Sequence, residues 1–148
     1  MAAPIKDPKE FLTMSGDQLD DIFRNSPAGE IPRGDTEGTA IVAPGTKISD
    51  NIARFVNHFG WQGKVFDPEE GVLRNKILPR GHKAIVAKVY KDKSWFDGRE
   101  CIVLDYSKTS LIAGWIRDEI REVSPGVFLG LVFWERDKIA LFALKFAQ

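Results

Sequence analysis

The two runs that close the chain, VFLGLVFW at residues 127–134 and KIALFALKF at 138–146, are apolar at consecutive positions. Neighbouring side chains of a strand point to opposite faces, so neither run can turn a face to water. A single open sheet is thereby excluded. One face has to look into a barrel or strongly coiled sheet, and something else in the chain has to cover the other.

The cover is expected from the first sixty residues. Asp7-Pro8-Lys9-Glu10 joins an N-cap, a proline at the first helical position and a glutamate three residues after the cap, which marks a short helical segment. Ser15-Gly16-Asp17-Gln18 repeats the capping box, opens a stretch with Leu19, Ile22 and Phe23 on one face, and is stopped at Ser26-Pro27. SPAGEIPRGDTEG reads as a loop and TAIVAP as a strand. A further helix is expected at about residues 47–59, where Ile48, Ile52, Phe55, Val56 and Phe59 recur at helical spacing before Gly60.

From Trp61 onward the pattern is one of short strands bounded by turn residues: WQGKVF, VLRNKIL, KAIVAKVYKDKSW, RECIVLDY and the two closing runs. Asp97-Gly98 signals a two-residue hairpin, whose register sets Asp105 opposite Tyr90. The expected fold is mainly β (α+β), an antiparallel barrel of seven or eight strands. It forms one domain over 1–148, with a helical N-terminal segment at 1–33 covering one side or end and the barrel with its inserted helix at 34–148.

Residues 116–123, IRDEIREV, decide how charge enters this fold. Ile116, Ile120 and Val123 also fit a helical face, but Gly114 interrupts that spacing and Ser124-Pro125-Gly126 makes a hairpin into the next strand. Read as a strand, each face carries ionic groups. Arg117, Asp118, Glu119 and Arg121 then form a solvated or cross-strand ladder, or they face the interior and need partners there.

Composition narrows the function. Lysine plus arginine and aspartate plus glutamate number 21 each, so no net field recruits nucleic acid. Nothing resembles a signal peptide or approaches a membrane span, and the single cysteine, Cys101, permits no intrachain disulfide, so a cytoplasmic protein is expected. Cys101 reads first as a buried thiol and second as a nucleophile. With two histidines, His58 and His82, and no ligand spacing, neither a metal nor a cofactor is expected. Phosphate-binding, dinucleotide, serine-hydrolase and zinc-protease motifs do not occur.

The candidate site residues follow. GWQGKVFD makes a helix-to-strand corner in which Trp61 plugs the barrel end, or else serves as an apolar wall with Lys64 as an anion anchor. Asp105 in VLDYS caps the following turn, or faces the cavity and has its pKa raised by burial. Trp61, Lys64, Tyr90, Asp105, Arg117 and Arg121 are the candidate ligand-binding residues. Asp105, Tyr106, Asp118 and Glu119 are the candidate catalytic groups if there is a reaction.

The succession of helix, strand, helix ending in GWQGKVFD, strand meander and RDEIREVSPGVFLG resembles uncharacterised bacterial proteins with a calycin-type, lipocalin-like barrel. It is distantly similar to the family named for a Gly-x-Trp-x-Gly motif. GDTEG has Thr36 where that tryptophan would stand, while Trp61, Gly63 and Lys64 keep a Trp-x-Gly-Lys element. The resemblance implies a barrel able to hold a small apolar molecule and carries no catalytic residue. The expected function is binding of a hydrophobic metabolite such as a fatty acid or terpenoid. A cofactor-free isomerase or cyclase in the same cavity and a non-enzymatic interaction domain are the alternatives; oligomeric state is not legible.

Overall fold

The computed structural model describes residues 4–41, 60–77, 82–109 and 114–147. The helix expected at 47–59, with His58, lies outside the described residues. Eight antiparallel strands, β1 (Gly34–Ile41), β2 (Gly63–Asp67), β3 (Val72–Ile77), β4 (His82–Lys93), β5 (Glu100–Asp105), β6 (Ile116–Ser124), β7 (Val127–Trp134) and β8 (Asp137–Phe146), pair in sequence order and close into a barrel. Closure is made by β1 against β8, from Thr36 opposite Phe146 to Ile41 opposite Leu141. Pairing on both sides explains one departure from expectation: the strand begins at Gly34, inside the stretch read as a loop, because Gly34 and Asp35 pair with Phe66 and Val65 of β2 and β8 supplies partners from Thr36 onward.

Side-chain alternation sorts the apolar residues into two cores. Phe66, Leu73, Ala87, Val89, Ile102, Leu104, Ile120, Phe128, Phe142 and Leu144 face the interior. Cys101, Val103, Leu129, Leu131, Phe133, Leu141 and Ala143 face outward and are sealed by Phe11, Leu19 and Phe23. Those three residues come from a 3-10 helix (Pro8–Thr13) and from α1 (Gly16–Asn25), each opened by the capping box expected from sequence. Both faces of the closing strands are thus dry, the inner by closure and the outer by the N-terminal segment.

Large interior rings sit where the opposing strand has no side chain. A Cβ on Gly130 would lie well inside contact distance of the Phe142 ring, and a Cβ on Gly38 would meet the Trp61 indole and stand 2.8 Å from Gly63 Cα. Gly63 has φ +138°, and a Cβ there would be 2.5 Å from the Thr36 carbonyl. Only glycine allows β1 and β2 to approach this closely.

β4 carries a bulge. Register shifts between Arg74 and Asn75, leaving Ile85 unpaired with φ 55°, a left-handed conformation that costs a β-branched residue about 1–3 kcal/mol. The Asp97-Gly98 hairpin is also longer than expected. β4 ends at Lys93 opposite Glu100, residues 94–99 form the connection, and Asp105 stands opposite Lys88, with Val103 opposite Tyr90.

Gly130→Val places a branched side chain into the Phe142 ring, and overpacking of this kind costs about 1–3 kcal/mol. Urea unfolding should show a lowered midpoint at unchanged slope; an unaltered midpoint would mean that the ring does not occupy this position.

Candidate functional site

β6 distributes its charges by simple alternation. Asp118 and Ile120 point inward, whereas Arg117, Glu119 and Arg121 point outward, and Asp118, Glu119 and Arg121 are all buried. Two polar clusters result, one on each side of the barrel wall.

The outer cluster fastens the fold together. Arg121 donates to Asp97 Oδ1 and Oδ2 at 2.7 and 2.6 Å, and to the carbonyls of Phe23 (3.0 Å), Arg99 (3.1 Å) and Glu100 (3.1 Å). A guanidinium has five N–H groups, and each has an acceptor here. α1, the 94–99 connection and β5 are held by this one side chain, which also stacks 4.4 Å from the Phe23 ring. Glu119 accepts from Ser94 Oγ, from the Trp95 amide at 2.7 Å and from Arg117 at 2.9 and 3.1 Å, while Arg117 lies 4.2 Å from the Trp95 ring centre. Cys101 lies beneath, a buried free thiol pushed up to about 12 by burial and by Glu119.

Asp105 and Tyr90 belong to this outer side as well. Asp105 Oδ1 accepts from the Ser107 amide (2.9 Å) and hydroxyl (2.6 Å), and Oδ2 accepts from Tyr90 at 2.8 Å. Burial alone would raise the Asp105 pKa, but the bonds from Ser107 and Tyr90 outweigh it and the carboxyl lies below its ordinary value. Burial and Asp105 in turn move the Tyr90 hydroxyl up to about 12. The cap reading of Asp105 thus describes its geometry, and the cavity-facing alternative does not.

The inner cluster is of another kind. Lys64 from β2, Asn75 from β3, Tyr106 at the end of β5 and Asp118 from β6 converge inside the barrel, at the end where those strands begin or finish. Lys64 Nζ donates to Asn75 Oδ1 and to Tyr106 Oη at 2.7 Å each and stands 3.3 Å from Asp118 Oδ2. Tyr106 Oη donates to Asp118 Oδ2 at 3.3 Å. Asn75 Nδ2 donates to Tyr106 Oη at 3.0 Å and to the carbonyl of the bulged Ile85 at 2.8 Å, which gives the strained residue a role in orienting the cluster. Trp61 Nε1 donates to Asn75 Oδ1 at 3.0 Å.

Aromatic faces surround the ammonium: Lys64 Nζ lies 5.5 Å from the Trp61 ring, 5.5 Å from Tyr106 and 5.2 Å from Phe142. Thr36 Oγ1 completes the frame, accepting from the Lys64 amide at 2.9 Å and donating to its carbonyl at 2.7 Å. Burial pushes Lys64 down and Asp118 up, each against the pull of the other, and pushes Tyr106 well above its ordinary value. One atom stands apart: Asp118 Oδ1 is buried with no hydrogen-bond partner among the described residues. Buried acceptors of a carboxylate left in this way cost several kcal/mol unless something supplies a donor.

Of the residues singled out from sequence, Trp61, Lys64, Tyr106 and Asp118 come together inside, while Tyr90, Asp105, Arg117, Glu119 and Arg121 lie on the outer side. Asn75 and Thr36 were not singled out. A polar residue on the same strand face as Leu73 is the signal that marks Asn75, since that face is otherwise apolar. No group of metal-ligating side chains occurs among the described residues, and none of their helices is long and apolar enough to cross a membrane.

No family model and no curated protein matches the sequence. Among solved structures, the chain is similar to the crystal structure of a protein from Thermomonospora curvata, with a TM-score of 0.66 over 95% of this chain and 93% of that one, at 14% identity. What the two share is the fold.

The outer cluster has a definite acid signature. Hydrogen bonds from Arg121, with the Arg99 amide assisting against burial, lower Asp97 from 3.8 to about 2. The unfolded chain therefore binds more protons between about pH 4 and pH 2, so this contribution to stability is complete above pH 4 and disappears as pH falls to 2. Asp97→Asn should flatten that part of a stability-versus-pH curve measured by urea unfolding; an unchanged slope would show that Asp97 is not the group responsible.

Proposed function

We propose that this protein is a lipocalin-like binding protein that holds one small, mostly apolar molecule in its barrel. The polar end of that molecule is held by the inner cluster. The observation that carries this reading is the unpartnered Asp118 Oδ1, a strong acceptor inside a wall of Trp61, Tyr106, Phe142 and aliphatic side chains. Pre-formed apolar cavities with a few convergent polar groups are the usual architecture of small-molecule sites. The outer cluster has no comparable opening, since Arg121 spends all its donors on the protein.

A cofactor-free isomerase or cyclase is the second reading. It is favoured by the adjacency of Asp118 and Tyr106, a carboxyl raised by burial beside a phenol, which could move a proton at a bound substrate. Asp105 and Glu119 have no part in that chemistry because they face outward. The interaction-domain alternative rests on the rings of Trp61 and Phe142, which fill the space left by Gly38 and Gly130.

Native mass spectrometry of protein purified gently from its own host should show one retained small molecule. A matching ligand at about 100 times its Kd contributes roughly 2.7 kcal/mol, or roughly 5–10 °C in Tm for a domain of this size. An apo species whose Tm no fatty alcohol, fatty acid or terpenoid raises would leave the filled-barrel reading in place of this one.

A further inference from the structure

The donors and acceptors of the inner cluster can be counted one by one. Three acceptors, Asn75 Oδ1, Tyr106 Oη and Asp118 Oδ2, converge on Lys64 Nζ, matching the three N–H groups of an ammonium. Both N–H groups of Asn75 are used, by the Ile85 carbonyl and by Tyr106. The Tyr106 hydroxyl donates to Asp118, Trp61 Nε1 to Asn75 Oδ1, and Thr36 Oγ1 to the Lys64 carbonyl. Every side-chain donor of the cluster is therefore engaged. The open position is an acceptor, Asp118 Oδ1, nine-tenths or more buried with the rest of its side chain.

Charge gives the same answer by a separate route. Lys64 and Asp118 cancel within the interior, so a guest that brought its own negative charge would add an ion with neither a counter-ion nor a spare N–H or O–H to meet it. A guest offering a lone pair alone would face a carboxylate oxygen and be repelled.

We propose that the ligand's polar end is a hydrogen-bond donor: the site takes an apolar alcohol, its hydroxyl given to Asp118 Oδ1, and discriminates against the corresponding carboxylic acid. This rests on the binding reading above and narrows it from hydrophobic metabolites in general to hydroxyl-bearing ones. The rule is one of satisfaction: a site built around a particular hydrogen bond rejects analogues that cannot make it far more strongly than it rejects a change of one methylene.

The test is a titration of the full chain at neutral pH, followed by tryptophan fluorescence, with decan-1-ol, decanoate and 1-methoxydecane, and with geraniol and geranate as a second matched pair. At least one alcohol should bind ten-fold or more tightly than its acid, and decan-1-ol should exceed its methyl ether by a similar factor. Asp118→Asn places an amide N–H at the open position and leaves Lys64 without its counter-charge, so the preference should invert toward the acid. Should the acid or the ether match the alcohol in the unmodified protein, the donor rule is overturned while barrel binding survives. Should none of the five bind, the binding reading itself falls. The comparison among ligands needs no variant to fold, and so stands whatever Asp118→Asn does.

Discussion

The ion pair between Lys64 and Asp118, enclosed with side-chain exposures of 5% each, is the constraint around which the barrel's interior is arranged. Two charges in an apolar interior are tolerated only when hydrogen bonds absorb what water no longer supplies. Asn75, Tyr106 and Trp61 provide those bonds, and the bulge at Ile85 turns a carbonyl inward to fix Asn75. Gly63 and Gly38 let β1 and β2 close around the same point, so that the indole of Trp61 can lie over it. Much of the local irregularity of the first four strands is thus explained by one buried pair.

The other side of the wall is held by different means. Arg121 gathers α1, the 94–99 connection and β5 into one assembly, and Glu119 with Arg117 completes it. This cluster has its polar groups paired and reads as architecture. The inner cluster has a satisfied lysine and an unsatisfied carboxylate oxygen, and such an imbalance is what separates a site from a brace. At the opposite end of the barrel, an open hollow of about 440 Å³ carries Glu30 and Glu122 above Phe128 and Phe146, but those carboxylates face solvent rather than a closed interior.

Most of the fold was legible from period and punctuation. Two doubly apolar closing strands demanded a barrel with external cover, and the capping boxes at Asp7 and Ser15 announced the segments that provide it. β6 declared itself a strand through Gly114 and the Ser124-Pro125-Gly126 turn. The start of β1 was missed because pairing with β2 at Gly34 and Asp35 and with β8 from Thr36 onward, contacts between segments far apart in sequence, overrides the loop-like composition of GDTEG. The register of β4 and β5 was missed because the connection is a six-residue loop closed by its own bonds, Ser94 amide to the Arg99 carbonyl and Gly98 amide to the Ser94 carbonyl, rather than a two-residue turn at Asp97-Gly98. For the site, Trp61, Lys64, Tyr106 and Asp118 were named, yet which of the charged residues share a side of the wall depended on register. Once register is known, alternation alone places Asp118 inside and Asp105 outside.

A pair kept for binding differs thermodynamically from a pair kept for stability. Lys64→Met and Asp118→Leu each strand a buried charge and should cost about 3–5 kcal/mol alone, whereas the double variant removes both charges together. The most direct measurement is this double-mutant cycle by urea unfolding, with ligand binding measured in parallel. The double variant should be as stable as the unmodified protein, or more so, and should have lost its ligand. A double variant several kcal/mol less stable than the unmodified protein that still binds its ligand would contradict this expectation, making the pair a structural brace like Arg121 on the other side of the wall.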